Sequence, residues 1–221
     1  MTYGITLGSL RLLIGLGLLG SVAWQVTDRI INGVFRPEEY FAYFSIVSAI
    51  IVGLVLVITG MGLLLKFEDT KWVEIGRLSL ATAMVIVGVV YHLLLADAAP
   101  DVRDGNYQWP VLPNEIIHTY APILFAFEYL LSVKAFRIRL RAALWVAVYP
   151  LTWLLFSVIR GIATGWWPYW FLDPTGEIGL TGMLSYIGAI TAFFLVLGFV
   201  LLAIKKAILR LTPRSLSLSN Y

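Results

Sequence analysis

The sequence contains no cysteine and few charged residues. Without a cysteine among its 221 residues, the chain forms no disulfide bond, and thiolate-bound zinc or iron–sulfur centres are excluded. Charged side chains make up 13% of the residues, whereas a typical soluble domain has about 25%. A soluble helical bundle is therefore not expected.

Apolar residues, in contrast, are abundant and occur in long runs. They account for 60% of the chain, and the runs approach the roughly 20 residues that a helix needs to cross about 30 Å of hydrocarbon. The sequence predicts an all-α, polytopic membrane protein with a single transmembrane domain over residues 1–221. We predict six spans, at about residues 5–27, 40–65, 75–96, 112–133, 142–164 and 180–204.

The charged residues alternate between the connections. Basic residues dominate the second and fourth connections and the segment after the last span, whereas the odd-numbered connections hold most of the acidic residues. Because loops rich in Lys and Arg stay in the cytoplasm, both termini are predicted to be cytoplasmic. The net charge of +3 is an insertion signal that suits anionic lipid heads. The expected partner is the lipid bilayer; no nucleic acid is expected, and the oligomeric state stays open.

Three polar side chains fall at a similar depth in the outer half of three predicted spans. Ser45 lies near the outer start of the second span, His92 near the outer end of the third and His118 near the outer start of the fourth. Polar residues in a span mark functional sites unless they are satisfied by a neighbour. A serine used for helix packing or back-bonding, or a histidine satisfied by an adjacent helix, is the alternative interpretation.

Neighbouring residues extend this pattern. Asn114 precedes His118 by four positions and so shares its helix face, which would let it orient the imidazole. Ser48 lies on the same face as Ser45. Arg160, near the outer end of the fifth span, is expected to reach lipid phosphates, pair with an outer aspartate or hold a substrate carboxylate.

Two further expectations concern the surroundings of these residues. Glu128, deeper in the fourth span, is expected to pair with Lys134 or Arg137. The aromatic cluster at 166–170 is expected to form an interfacial belt, or a lid that borders a shared cavity together with Arg160.

Several segments resemble a known family. NEIIHTYAP (114–122) and YPLTWLLFSVIRGIATGWWPYWFLDP (149–174) resemble the bacterial branch of the androgen-induced, FAR-type membrane proteins, and YFAYFSIVSA (40–49) and VVYHLLLA (89–96) are similar to its second and third helices. The resemblance covers about residues 40–205. It implies a membrane threonine hydrolase that cleaves fatty acid esters of hydroxy fatty acids, located here in a bacterial cytoplasmic membrane.

The resemblance also implies site residues. The family histidine corresponds to His118, and the family threonine corresponds to Ser45, which keeps a hydroxyl but lacks the methyl group. We therefore expect a lipid ester hydrolase in which Ser45 is the nucleophile and His118 the base. Asn114, His92, Arg160 and Ser48 are expected to bind substrate or support the pair.

No cofactor and no metal ligand are expected for this reaction. Two alternatives from other classes stay open. One is a non-catalytic lipid-binding or transport protein. The other is a membrane protein in which His92 and His118 bind haem or a metal ion.

Overall fold

The computed structural model describes residues 2–98, 101–132 and 138–211. All regular structure in these ranges is helical. The α-helices are α1 (Thr2–Ile31), α2 (Pro37–Tyr40), α3 (Phe44–Leu64), α4 (Lys71–Val90), α5 (Val111–Glu115), α6 (Ala121–Leu131), α7 (Val148–Thr164) and α8 (Gly179–Leu211). A first π-helical segment (Tyr91–Leu95) extends α4, and a second (Ile116–Tyr120) joins α5 to α6; 3₁₀ turns cover Val102–Asp104, Leu140–Ala147 and Trp170–Leu172.

Within the described ranges, five helices are long and apolar enough to cross a membrane. They are Tyr3–Ile31, Phe44–Leu64, Lys71–Leu95, Leu140–Thr164 and Gly179–Leu211. The all-α class is confirmed, and these helices coincide with five of the predicted spans.

The remaining predicted span, residues 112–133, is a different kind of helix. Here α5, the second π-helical segment and α6 follow one another from Val111 to Leu131, and this stretch is not among the five apolar helices. It carries Glu115, His118 and Glu128, which lower its apolar character. One face of it packs against α1, α4 and α8, where His118 and Glu128 are buried, whereas Ile123, Leu124 and Phe127 are exposed on another face.

Helices α1 and α3 pack closely because glycines face each other. A Cβ atom added at Gly15 would lie 2.8 Å from the Gly53 carbonyl oxygen, and one added at Gly60 would lie 2.9 Å from the Gly8 carbonyl oxygen. Small residues let helix backbones approach in this way inside membranes. Gly8 is therefore used for packing within the chain.

A network of buried charges joins four helices at one end of the bundle. The Arg11 guanidinium donates to Glu128 Oε1 at 2.8 Å and to Asp69 at 2.6 Å, Arg77 also pairs with Glu128, and Lys205 pairs with Glu74 at 2.5 Å. Three cations thus face three carboxylates.

Glu128 is the centre of this network. Its side chain is fully buried and bound by Arg11 and Arg77. Lys134 and Arg137, the predicted partners, lie outside the described residues. The two arginines come from α1 and α4, which are far along the chain but adjacent in the fold, so local sequence spacing did not indicate them.

Ion pairs also connect the loops at the opposite end. Arg36 binds Asp104 and Glu39, and Arg103 binds Glu39 and Asp101. The hydrogen bonds from Arg103 lower the pKa of the Asp101 carboxyl to about 2. These contacts fix the α1–α3 connection against the loop after α4.

Candidate functional site

Ser45 lies in the first turn of α3. The helix begins at Phe44 after an extended Tyr43, and the first N–H groups of a helix have no partner within it. The Ser45 N–H donates instead to the Tyr169 hydroxyl, 3.4 Å away, and this phenol also lies beside the Ser45 side chain. The serine hydroxyl is thus placed at the positive end of a 21-residue helix, where negative charge is stabilised.

His118 lies in the second π-helical segment and is buried. Its Nδ1 atom is 2.9 Å from the Asn114 carbonyl oxygen. Because a carbonyl oxygen only accepts, Nδ1 must carry the proton in the neutral ring, and the lone pair is on Nε2. This is the tautomer that a general base needs, and it leaves Nε2 as the basic atom.

Tyr91 and Asn114 hold the imidazole in its orientation. The Tyr91 ring stacks on the His118 ring with centroids 4.1 Å apart, and the Asn114 side-chain amide donates to the Tyr91 hydroxyl at 2.7 Å. Asn114 therefore contacts the histidine through its backbone and supports it through Tyr91 with its side chain. The predicted orienting role of Asn114 has a geometric basis here.

Ser45 and His118 line the same cavity. The space inside it that admits the centres of water-sized molecules is about 80 Å³. The lining also includes the hydroxyl-bearing residues Tyr169 and Thr191, and is otherwise almost entirely apolar. The apolar contributors are Phe44, Ile86, Val87, Val90, Leu95, Ala147, Pro150, Leu151, Trp153, Leu154, Phe171, Leu172, Ile187, Ile190 and Phe194.

The cavity reaches the apolar surface of the bundle between α7 and α8. Leu151 on α7 lines it and is 45% exposed, and Ile187 and Ile190 on α8 line it while half-buried. These partly exposed apolar side chains form the edge of the cavity between α7 and α8.

His92 and Ser48 are not among the residues that line the cavity. His92 is exposed, and its Nε2 lies 2.9 Å from the Thr119 hydroxyl, which donates to Glu115 at 2.7 Å. The Ser48 hydroxyl is fully buried and 2.8 Å from the Tyr149 hydroxyl. His92 and Ser45 were predicted to lie at a similar depth. In the structure, however, His92 does not line the cavity that Ser45 lines.

Arg160 also lies outside the cavity lining. Its guanidinium carbon is 4.4 Å from the centroid of the Trp166 ring, a cation–π contact. Arg160 forms no ion pair with an aspartate among the described residues. Within the predicted aromatic border, Tyr169 contributes to the lining and Trp166 and Trp170 do not.

Sequence reasoning missed the individual roles of Tyr169 and Tyr91. Tyr169 is stacked on Phe171 at 5.2 Å and tilted against Tyr43 and Trp153, which aims its hydroxyl at the start of α3. In the sequence it is one of several aromatics in WWPYWF (166–171), and no pattern distinguishes it from the residues of a membrane-interface belt.

The described residues contain no group of three or more His, Cys, Asp or Glu side chains placed to hold a metal ion. The rings of His92 and His118 both contact Tyr91. Their hydrogen bonds go to different residues, because Nε2 of His92 pairs with the Thr119 hydroxyl and Nδ1 of His118 pairs with the Asn114 carbonyl oxygen.

Comparison with known proteins returned no match to a family model, to a curated protein or to a solved structure. The geometry of the cavity therefore carries the functional argument.

Proposed function

We propose that this protein is a membrane-embedded hydrolase of long-chain carboxylic esters, with Ser45 as nucleophile and His118 as base. The observation that carries the proposal is that these two side chains line one otherwise apolar cavity. A serine hydroxyl needs a base to become an effective nucleophile, and the free Nε2 lone pair of His118 supplies one.

In the proposed reaction, the Ser45 oxygen attacks the ester carbonyl while His118 takes the hydroxyl proton. The tetrahedral intermediate collapses as His118 returns that proton to the leaving alcohol. Water then attacks the acyl–serine ester with His118 again as base, which releases the fatty acid and restores Ser45.

The start of α3 provides groups for the negative charge that develops. The Ser45 N–H and the Tyr169 hydroxyl meet beside the nucleophile. Because the phenol oxygen accepts this N–H, its own hydrogen is left for an acceptor in the cavity. Preorganised donors of this kind stabilise the oxyanion of acyl transfer.

The substrate class follows from the lining and from the lateral opening. An apolar cavity that reaches lipid between α7 and α8 suits a substrate with long acyl chains that partitions into the bilayer. Fatty acid esters of hydroxy fatty acids, which the family resemblance implies, have this character. We assign Arg160 no contact with the substrate, because it lies outside the lining.

The proposal includes the membrane arrangement. The helix from Val111 to Leu131 is the fourth of six spans, and both termini are cytoplasmic, as the basic connections favour. The Ser45–His118 cavity then opens in the outer half of a bacterial cytoplasmic membrane.

Ester cleavage by purified variants in detergent micelles tests the function. Ser45→Ala and His118→Ala should each abolish cleavage, and their effects should not add, because the two residues act as one unit. Ser45→Thr should retain activity. Ser48→Ala is the matched control, since this hydroxyl lies one turn further along α3 and is bound to Tyr149.

The proposal fails if Ser45→Ala cleaves esters like the parent. A parent protein that retains long-chain esters but cleaves none would instead support the alternative of a non-catalytic lipid-binding protein.

A further inference from the structure

A second cavity lies at the opposite end of the bundle, next to the buried charge network. It is lined by the α4 residue Glu74, by Ile138, and by the last turns of α8, namely Leu202, Lys205, Lys206, Leu209 and Arg210. The space inside it that admits the centres of water-sized molecules is about 200 Å³. Ser45 and His118 take no part in it, so it is independent of the proposed ester-cleaving site.

Positive charge dominates this lining. Lys205 is buried and already bound by Glu74 at 2.5 Å and by the Ser132 hydroxyl at 2.9 Å. Glu74 is the one carboxylate among the described lining residues. Lys206, which is half-buried, and Arg210, which is exposed, form no ion pair within the described part of the chain. Two cations therefore face the cavity without a compensating anion.

The buried network offers no carboxylate to these two cations. Its three carboxylates, Asp69, Glu74 and Glu128, are engaged by Arg11, Arg77 and Lys205. Within the described part of the chain, these carboxylates are balanced by three other cations, so an anion that neutralises Lys206 and Arg210 comes from outside the network.

The position of the cavity along α8 indicates the kind of anion. Helix α8 has 33 residues, which at 1.5 Å per residue gives a length of about 50 Å, more than the roughly 30 Å of hydrocarbon. Its last turns therefore reach the headgroup layer. Apolar Ile138, Leu202 and Leu209 line the same cavity, so phosphate-binding cations and acyl-chain contacts occur together.

We propose that this cavity binds the phosphate group of an anionic phospholipid from the adjacent leaflet. The planar guanidinium of Arg210 matches a phosphate in a bidentate manner, and Lys206 adds a point charge. Basic pockets of this kind between membrane helices bind anionic headgroups. Inorganic phosphate and a phospholipid headgroup both present charged phosphate oxygens to these cations. Only the lipid also has acyl chains that contact the apolar side of the cavity.

Lipid retention measured by native mass spectrometry tests the proposal. The purified protein is equilibrated with phosphatidylglycerol or phosphatidylcholine in micelles. We expect preferential retention of phosphatidylglycerol by the parent. The double variant Lys206→Gln/Arg210→Gln should weaken this binding by about 25-fold, or about fivefold per cation, from about 1 kcal/mol per basic residue near an anionic surface.

The matched control is Lys66→Gln/Lys71→Gln. It removes the same charge near the α3–α4 connection, at the same end of the bundle, from two exposed residues that do not line the cavity. Phosphatidylglycerol binding by this variant should change less than twofold. Equal losses of phosphatidylglycerol binding in both double variants would mean that general surface charge causes the effect, and would overturn the proposed site. Equal retention of phosphatidylglycerol and phosphatidylcholine by the parent would overturn it as well.

Competition with excess inorganic phosphate separates the two sources of the anion. Retention of phosphatidylglycerol in its presence assigns the cavity to the lipid. Displacement by inorganic phosphate would overturn the lipid assignment and make the cavity a site for the free anion. Glutamine substitutions keep the side chains polar, and the melting temperature of each variant checks that folding is intact.

Discussion

At the scale of single residues, the candidate site is defined by which polar atoms already have a partner. Ser45 and Ser48 lie one turn apart on α3, yet the Ser48 hydroxyl is taken by Tyr149 whereas Ser45 lines the cavity. His118 and His92 differ in the same way, since the Thr119 hydroxyl occupies Nε2 of His92 and the Asn114 carbonyl occupies Nδ1 of His118. Chemistry is expected only where the reactive atom is left available.

Removal of the Tyr169 hydroxyl tests its proposed role as an oxyanion donor. Tyr169→Phe should lower kcat for ester cleavage by about 100-fold and change KM little, because the lost hydrogen bond acts mainly in the transition state. Tyr149→Phe is the matched control, since its hydroxyl contacts Ser48 and lies away from the cavity lining. Equal losses in both variants, or full activity of Tyr169→Phe, would refute the role.

The buried network gives a prediction for stability. Glu128→Gln removes one of the two carboxylates that Arg11 and Arg77 share, the other being Asp69, and loss of one partner of a buried ion pair costs up to about 3–5 kcal/mol. Its melting temperature in micelles should fall well below that of Glu68→Gln, a change at an exposed residue. A Glu128→Gln protein as stable as the control would contradict the network.

Ser45 and His118 could be selected from the sequence, because polar residues are conspicuous in apolar runs. Their partners could not. The contact of Tyr169 with Ser45 joins residues 124 positions apart, and that of Arg11 with Glu128 joins residues 117 apart. Side-chain direction and long-range proximity depend on helix packing, which local sequence patterns do not reveal.

At the scale of elements, two π-helical segments place the histidines. Tyr91–Leu95 holds His92 and Ile116–Tyr120 holds His118. Such wider turns are uncommon and frequently occur at functional sites. Pro122 follows the second segment, and a proline, which lacks an N–H, commonly kinks a helix. The observed irregularity is a change of helical winding, which hydrophobic periodicity does not reveal.

A glycine makes the contact between α4 and the His118 turn. A Cβ atom at Gly88 would lie 3.0 Å from the His118 carbonyl oxygen and 3.4 Å from the Pro122 side chain. Gly88→Ala should therefore push the histidine turn away and reduce ester cleavage, with a destabilisation of about 1–3 kcal/mol from overpacking.

Gly76→Ala on the same helix is the control, because no atom lies within 4 Å of the added Cβ. It should raise the melting temperature through helix propensity, which favours alanine by about 1 kcal/mol, and leave activity unchanged. If both alanine variants cleave esters like the parent, the Gly88 contact does not position His118.

At the scale of the whole molecule, ion pairs connect helices and loops at both ends of an apolar bundle. Arg36 and Arg103 bind loop carboxylates at one end, and Arg11, Arg77 and Lys205 bind buried carboxylates at the other. The helical class and the positions of five apolar helices were predictable from run length. Run length alone does not describe the helix at 111–131, because its buried Glu128 is paired with arginines of neighbouring helices.

Single cysteines at Asn106 and Arg139 test the membrane topology. Both residues are exposed, and the chain has no native cysteine to interfere. Their positions after α4 and before α7 predict labelling by an impermeant thiol reagent from opposite faces of the membrane. Labelling of both from the same face would exclude the six-span arrangement.

The most direct measurement of the central claim is the location of a covalent adduct. A fluorophosphonate probe reacts with an activated hydroxyl, so peptide mass spectrometry of the labelled protein should find the phosphonyl group on Ser45. The adduct should be absent from His118→Ala and present in Ser48→Ala. An adduct on another residue, no adduct in the parent, or unchanged labelling of Ser45 without His118 would contradict the account.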